Sequence, residues 1–155
     1  MNLGVRLSAH GKQDEAIAAC RKAIELDPKL AIAHNNLGVT LKKQGKSDEA
    51  IAPFRRALEL QPGNARAHKN LGTMLSTQGE LDDAIASFSE AVKLDQTDSE
   101  AHSRLSAALL EQGRFEEAAP SALKPVELDR TNAEGPRVLS VTLLEQGRFE
   151  ESIAA

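Results

Sequence analysis

One short motif returns at a fixed interval along this chain, and that periodicity constrains the fold more than any other feature. Asn35-Asn36-Leu37-Gly38 recurs as Lys69-Asn70-Leu71-Gly72, 34 residues later. Met1-Asn2-Leu3-Gly4 stands one interval earlier, and Ser103-Arg104-Leu105-Ser106 and Arg137-Val138-Leu139-Ser140 carry the register onward. Gly11, Gly45, Gly79, Gly113 and Gly147 keep step, as do Ala16, Ala50, Ala84, Ala118 and Ser152. No insertion interrupts the series. Such a chain uses one supersecondary unit repeatedly, and each copy buries its apolar face against its neighbours.

Each copy reads as two helices. In the repeat 65–98, Leu71, Met74 and Leu75 fall at helical spacing, and Gly79 follows Gln78 as a helix-ending glycine. Asp82-Asp83 opens a second helix, where carboxylates suit the positive end of the dipole. Ala84, Ile85, Phe88, Ala91 and Val92 form its apolar stripe. Pro28 and Pro62 close their repeats, because proline cannot extend a helix. No segment alternates as a strand would, so the fold class is all-α. Gly38 and Gly72 on first helices face Ala50 and Ala84 on second helices, which lets the axes approach closely. Ala23, Ala57 and Ala91 are expected to do the same between repeats. Leu41, Leu75, Leu109, Phe54, Phe88 and Phe115 fill the remaining space.

These columns resemble those of the tetratricopeptide repeat family along the whole chain. The single array 1–155 divides into a partial repeat 1–30, full repeats 31–64, 65–98 and 99–132, and a partial repeat 133–155. The resemblance implies a right-handed superhelical solenoid of antiparallel helix pairs. Its first helices line a concave groove and its second helices form the convex back. Departures are concentrated in places. The family's Trp column holds His34, His68, His102 and Pro136, and its Tyr column holds Leu. In repeat 99–132 the glycine becomes Ser106, the aromatic becomes Ala122 and the packing alanine becomes Pro125. Pro120 and Pro125 both fall in that repeat's second helix. Pro125 lies deep enough to kink or break it, and Pro53 raises the same question in repeat 31–64.

Chemistry-bearing residues read as structural. His34, His68 and His102 occupy equivalent places in successive repeats, so their rings point in parallel and do not converge on one metal ion. His10 ends a helix, where a cation suits the dipole. Cys20 shares the column of Phe54 and Phe88 and reads as a small buried hydrophobe. No base or orienting group accompanies it for catalysis. Asp14-Glu15, Asp48-Glu49, Asp82-Asp83 and Glu116-Glu117 recur near helix starts and read as dipole partners. The glycines never form a phosphate-cradling loop. No catalytic residue, metal or cofactor is expected.

Composition narrows the partner. The formal charge is −4, and aromatics are 3% with no Trp or Tyr. A nucleic-acid binder would concentrate positive charge and stacking rings, so nucleic acid is not an expected partner. No apolar run approaches the roughly 18 residues that a membrane span needs. The start at Met1 has no basic region followed by an apolar one, so it does not read as a signal peptide. One cysteine excludes an internal disulfide, which agrees with a cytoplasmic setting.

The groove columns lie one and two residues before the inward leucine and two after it, and Lys42, Lys43 and Arg66 extend the same face. They collect Asn2; Asn35, Asn36, Val39, Lys42 and Lys43; Arg66, Lys69, Asn70 and Thr73; Ser103 and Arg104; and Arg137, Val138 and Val141. Asn2, Asn36 and Asn70 form a ladder similar to that in the repeat domain of O-linked N-acetylglucosamine transferase. An amide pairs with peptide backbone whatever the side chains. Lys42, Lys43, Arg66, Lys69 and Arg104 make the middle basic, and Leu110, Val138, Val141 and Leu144 make the far end more apolar. The family's clamp for a chaperone-tail carboxylate is not matched, since Thr73 and Glu100 stand where Asn and Lys belong.

The expected function is a non-enzymatic scaffold binding a protein or peptide ligand, with acidic character, in the concave groove. Two alternatives come from other classes: the substrate-selecting repeat region of a larger enzyme such as a glycosyltransferase, and a self-assembling repeat module.

The array begins inside a helix and stops a few residues into another, with no polar capping element. Exposed end faces should fray or pack on a second copy. Sedimentation should show self-association rising with concentration. A strictly monomeric species with fully protected terminal amides would overturn that expectation.

Overall fold

A computed structural model of the chain describes residues 12–128. Among these residues are seven helices and no strand: α1 (Gln13–Leu26), α2 (Ala31–Lys43), α3 (Ser47–Leu60), α4 (Ala65–Thr77), α5 (Leu81–Leu94), α6 (Ser99–Glu111) and α7 (Phe115–Leu128). The all-α reading holds. The chain forms two compact bodies, Met1–Gly79 and Glu80–Ala155, so their boundary falls inside the repeat 65–98. The first contains α1 to α4 and the second α5 to α7. The readings at Asn2, His10, Gly11, the open ends, and Arg137, Val138, Val141, Leu144 and Gly147 lie outside the described residues.

The helix ends follow from their local sequence. Gly45 and Gly113 adopt φ of 75° and 72°, the left-handed region that other residues resist. That turn lets Gly45 N–H reach Lys42 O at 3.0 Å and Lys46 N–H reach Leu41 O at 3.0 Å. Gly113 and Arg114 repeat the pattern onto Leu110 O and Leu109 O, both at 2.9 Å. Carbonyls that the helix end orphans are thereby satisfied. At the other end, Asn64 Oδ1 accepts from Ala67 N–H at 3.1 Å and Asp98 Oδ1 from Ala101 N–H at 3.0 Å. Both are side-chain caps of the first helix of a repeat. The acidic pairs sit in the first turns of α1, α3, α5 and α7, as the dipole reading requires.

The core is built from the periodic columns. Ala16, Ala50, Ala84 and Ala118 are fully buried, as are Phe54 and Phe88 to within 1%. Leu41, Leu75 and Leu109 are buried too. Ala57 and Ala91 are buried, whereas Ala23 and Phe115 are only half-buried. Phe115 is the first residue of α7, so it stands at a helix end rather than in the middle of the packed stripe. Cys20 is buried as expected. Burial pushes its thiol pKa up, and a hydrogen bond with Thr40 acts in the opposite sense.

Gly38 shows why a glycine is needed inside α2. A Cβ built there would lie 2.7–2.8 Å from the ring of Phe54 on α3. The ring therefore lies on bare backbone. The second body answers the same column differently. Ser106 on α6 is fully buried and donates its hydroxyl to Ala118 O on α7 at 3.1 Å. Ala122, in the place of the phenylalanine, is also fully buried. A larger first residue is matched by a smaller second one, so the helices still close on each other.

A tie that the sequence reading did not anticipate joins successive repeats. Gln44 Nε2 donates to Asp14 Oδ1 at 2.7 Å, Gln78 to Asp48 at 2.6 Å and Gln112 to Asp82 at 2.8 Å. Each runs from the end of one first helix to the start of the preceding second helix. The carboxylate thus serves both the dipole and the next repeat. The signal was present, because the glutamines and aspartates each recur every 34 residues.

Of the kink or break expected at Pro125, the break does not occur. α7 runs from Phe115 to Leu128 through positions 120 and 125, and α3 likewise runs through Pro53. A proline removes one amide donor but leaves the rest of the ladder in place. In α7 the buried Ala118, Ser121 and Ala122 pack that helix against α6.

Two expectations follow for stability. Gly38→Ser should cost about 1–3 kcal/mol by overpacking, and Phe54→Ala about 3–5 kcal/mol by leaving a cavity. Combining them imitates Ser106 with Ala122, so the double variant should lose less than both losses added, read from urea midpoints. Strict additivity would show that the two columns do not compensate. Second, α7 carries two prolines while α5 carries none. Hydrogen exchange should therefore be faster over residues 116–128 than over 82–94. Equal protection would sink that expectation.

Candidate functional site

α2 and α4 carry most of the described residues that the sequence reading placed in the groove. Along α2, Ile32, Asn36, Val39 and Lys43 follow one another at helical spacing, and along α4 so do Arg66, Asn70, Thr73 and Thr77. Ile32, Lys43, Arg66 and Thr77 are exposed, while Asn36, Val39, Asn70 and Thr73 are half-buried. Lys42 and Lys69 flank this face and are half-buried as well.

Lys42 brings the two helices together. Its Nζ donates to Asn70 Oδ1 at 3.1 Å, in a part-buried position. The bond occupies Asn70 Oδ1, and the amide nitrogen of the same side chain can only donate. Asn36 lies on the same face of α2, and its backbone carbonyl accepts from the buried Thr40 hydroxyl at 2.8 Å. The Thr73 hydroxyl donates within its own helix to Lys69 O at 2.8 Å, and Thr77 donates to Thr73 O at 2.6 Å. Thr73 has therefore committed its proton, and its hydroxyl oxygen can only accept further bonds.

Charge is sorted between the helices. α2 carries Lys42 and Lys43, α4 carries Arg66 and Lys69, and neither contains an acidic residue. α1 and α3 hold Asp14, Glu15, Glu25, Asp48, Glu49 and Glu59 beside their own cations. Several of those pairs are closed locally, as in Lys22 with Glu25 at 2.9 Å and Arg56 with Glu59 at 2.7 Å. The charged side chains of α2 and α4 are thus uniformly positive.

Arg104 does not continue that pattern. It lies on α6 in the second body, where its Nε reaches Glu100 Oε1 at 2.9 Å and its Nη2 reaches the same atom at 2.8 Å. α6 also carries Glu111. Ser103, read from sequence as groove-facing, is buried, and its hydroxyl has no partner. Asn35 is half-buried, with Oδ1 enclosed and unpaired. Short side chains in this column stay covered, and only a long one such as Lys69 extends along the flank. The structure therefore joins Lys42 on α2 to Asn70 on α4, while Asn36 and Lys43 lie along α2 and Arg66, Lys69 and Thr73 along α4. Asn2 lies outside the described residues. The sequence reading placed Lys42 in the groove but not its bond to Asn70, because the bond depends on how far apart the two helices stand.

The histidine column has a local role. His34 Nε2 lies 3.0 Å from Pro28 O, His68 Nε2 2.9 Å from Pro62 O, and His102 Nε2 3.3 Å from Gln96 O. A carbonyl only accepts, so Nε2 carries the proton in each ring. Each ring ties the first helix of a repeat to the turn before it. Among the described residues, no group of three or more His, Cys, Asp or Glu side chains could hold a metal ion. Among them, too, no helix is long and apolar enough to cross a membrane.

Comparison with known proteins agrees with this architecture. The family description "Tetratricopeptide repeat" matches residues 35–99 and 70–133, and a second, "TPR repeat", matches residues 6–45. No curated protein matches the chain. Among solved structures, MamA is similar at 21% identity with a TM-score of 0.91, over 99% of this chain and 90% of that one. MamA residues 41-end from Desulfovibrio magneticus RS-1 align at 18% identity and a TM-score of 0.88, covering 99% and 86%. YrrB, described as a TPR protein with an unusual peptide-binding site, aligns at 26% identity and a TM-score of 0.88, covering 99% and 79%. With helices alone among its described residues, a motif returning every 34 residues and family matches over more than half its length, this chain belongs to the tetratricopeptide repeat family.

Proposed function

We propose that the chain is a non-enzymatic, cytoplasmic scaffold that binds a peptide segment of acidic character on the face shared by α2 and α4. One observation carries this reading. Two neighbouring first helices hold four cations and no acid, on a protein whose formal charge is −4. Lys42 also bridges from one helix to the other by gripping Asn70. Such a surface offers donors and positive potential, which suit carboxylate side chains and backbone carbonyls. Asn36 and Asn70 would hold the backbone of an extended segment, in a ladder that Asn2 continues in sequence. The acidic groups would lie over Lys42, Lys43, Arg66 and Lys69. Arg104 would contribute less to the field, because Glu100 offsets its charge. A peptide-binding site on YrrB, a protein of the same fold, supports the class of ligand.

Binding is tested with peptides captured by the full chain and identified by mass spectrometry, then measured singly by fluorescence anisotropy. Each hydrogen bond contributes about 0.5–1.5 kcal/mol net. Replacing both Asn36 and Asn70 by Ala should therefore weaken binding roughly 5- to 100-fold. Lys69→Glu should mainly slow association and reduce the salt dependence, since exposed charges steer more than they anchor. Arg55→Glu and Arg56→Glu on α3 serve as controls. If these controls weaken binding as much as Lys69→Glu does, the face of α2 and α4 is the wrong one.

A further inference from the structure

The three histidines of the repeat column share one contact, yet His102 has a different setting. Its Nε2–H is directed to Gln96 O, and its Nδ1 is buried without a partner. A neutral ring tolerates this, because a bare lone pair is all that is enclosed. Protonation would place an N–H donor and a positive charge at Nδ1 with nothing to accept the proton. The charged groups that face the ring come from each surrounding element. Lys124 on α7 opposes a second positive charge, whereas Asp95 at the end of α5 and Asp98 at the start of α6 favour it.

We propose that His102 is an acid-sensitive latch in the second body, one whose protonation loosens the start of α6 from the turn at Gln96 and from α7. Gln96 O, the acceptor in the latch, belongs to the turn that carries the chain from α5 into α6. Asp98 caps α6 two residues further on. A ring that gains charge at Nδ1 has two ways to reach water: it can swing out and give up Gln96, or α6 can part from α7. Either one opens the same end of the helix.

Burial is the largest influence on this imidazole and holds its pKa below the ordinary 6.5. Lys124 works in the same direction, and the Gln96 bond and the two aspartates only partly counter them. A base whose folded pKa is depressed binds its proton more readily when unfolded. The stability it confers is complete above about pH 6.5 and declines as the pH falls towards the folded pKa. Acid therefore acts on the second body through this residue.

The test is hydrogen exchange of the full chain at pH 7.5 and pH 5, expressed as protection relative to intrinsic rates. Peptides covering 99–111 should lose protection severalfold on acidification, and more than those covering 65–77 around His68. His102→Gln keeps an amide donor for Gln96 O but cannot be protonated, so it should abolish the extra loss. His68→Gln should leave the loss over 99–111 unchanged. Lys124→Gln, with His102 intact, should reduce the acid response by removing a like charge, and it serves if His102→Gln fails to fold. The proposal is overturned if α6 loses no more protection than α4, if His102→Gln retains the full response, or if Lys124→Gln leaves it unaltered.

Discussion

The aromatic ring of Phe54 lies on a stretch of α2 that has no side chain, and much of the first body depends on that contact. With a Cβ only 2.7–2.8 Å from the ring, Gly38 is the one residue that fits without displacement. A glycine inside a helix costs about 1 kcal/mol relative to Ala, and burial of a whole aromatic side chain offsets it. The contact sets how closely α2 and α3 approach, and through α3 it sets where α4 stands. Lys42 then spans from α2 to Asn70 on α4 at 3.1 Å. In the second body Ser106 and Ala122 occupy the same columns, and a hydroxyl bond to Ala118 O replaces ring packing. Two solutions to one packing problem thus sit within one repeating chain.

Helix electrostatics then sort the surface. Acidic residues gather in the first turns of the second helices, where the dipole favours them and the glutamines of the following repeat engage them. That leaves α2 and α4 without acids, so their cations act together. The arrangement ends at α6, where Glu100 and Glu111 return and Arg104 is held by Glu100. A ligand that reads charge would therefore distinguish the first helices of one body from that of the other, although all three belong to the same repeat type.

The histidines show how a periodic sequence acquires local differences. Each ring spans from a first helix to the preceding turn, which is a reason for a hydrogen-bonding ring in that column. The setting of His102 then depends on a residue that does not repeat. Lys124 near His102 stands in the column of Lys22, Arg56 and Glu90, so the charge in that column changes from repeat to repeat.

Much of the architecture was legible in the residues alone. A period of 34, helix-ending glycines and acidic helix starts specify helix pairs, because each signal acts through bonds within a few residues. The burial of Cys20 followed from its column. What the tertiary structure decided depends on distances between helices. It paired Lys42 with Asn70, tied each glutamine to an aspartate 30 positions earlier and covered Ser103. It also carried α7 through Pro125, where local rules favoured a break, because buried neighbours hold that helix to α6. Periodicity says which residues occupy equivalent places. Which of them touch is fixed by side-chain length and by how near the neighbouring helix comes, and Gly38 beneath Phe54 sets that approach between α2 and α3.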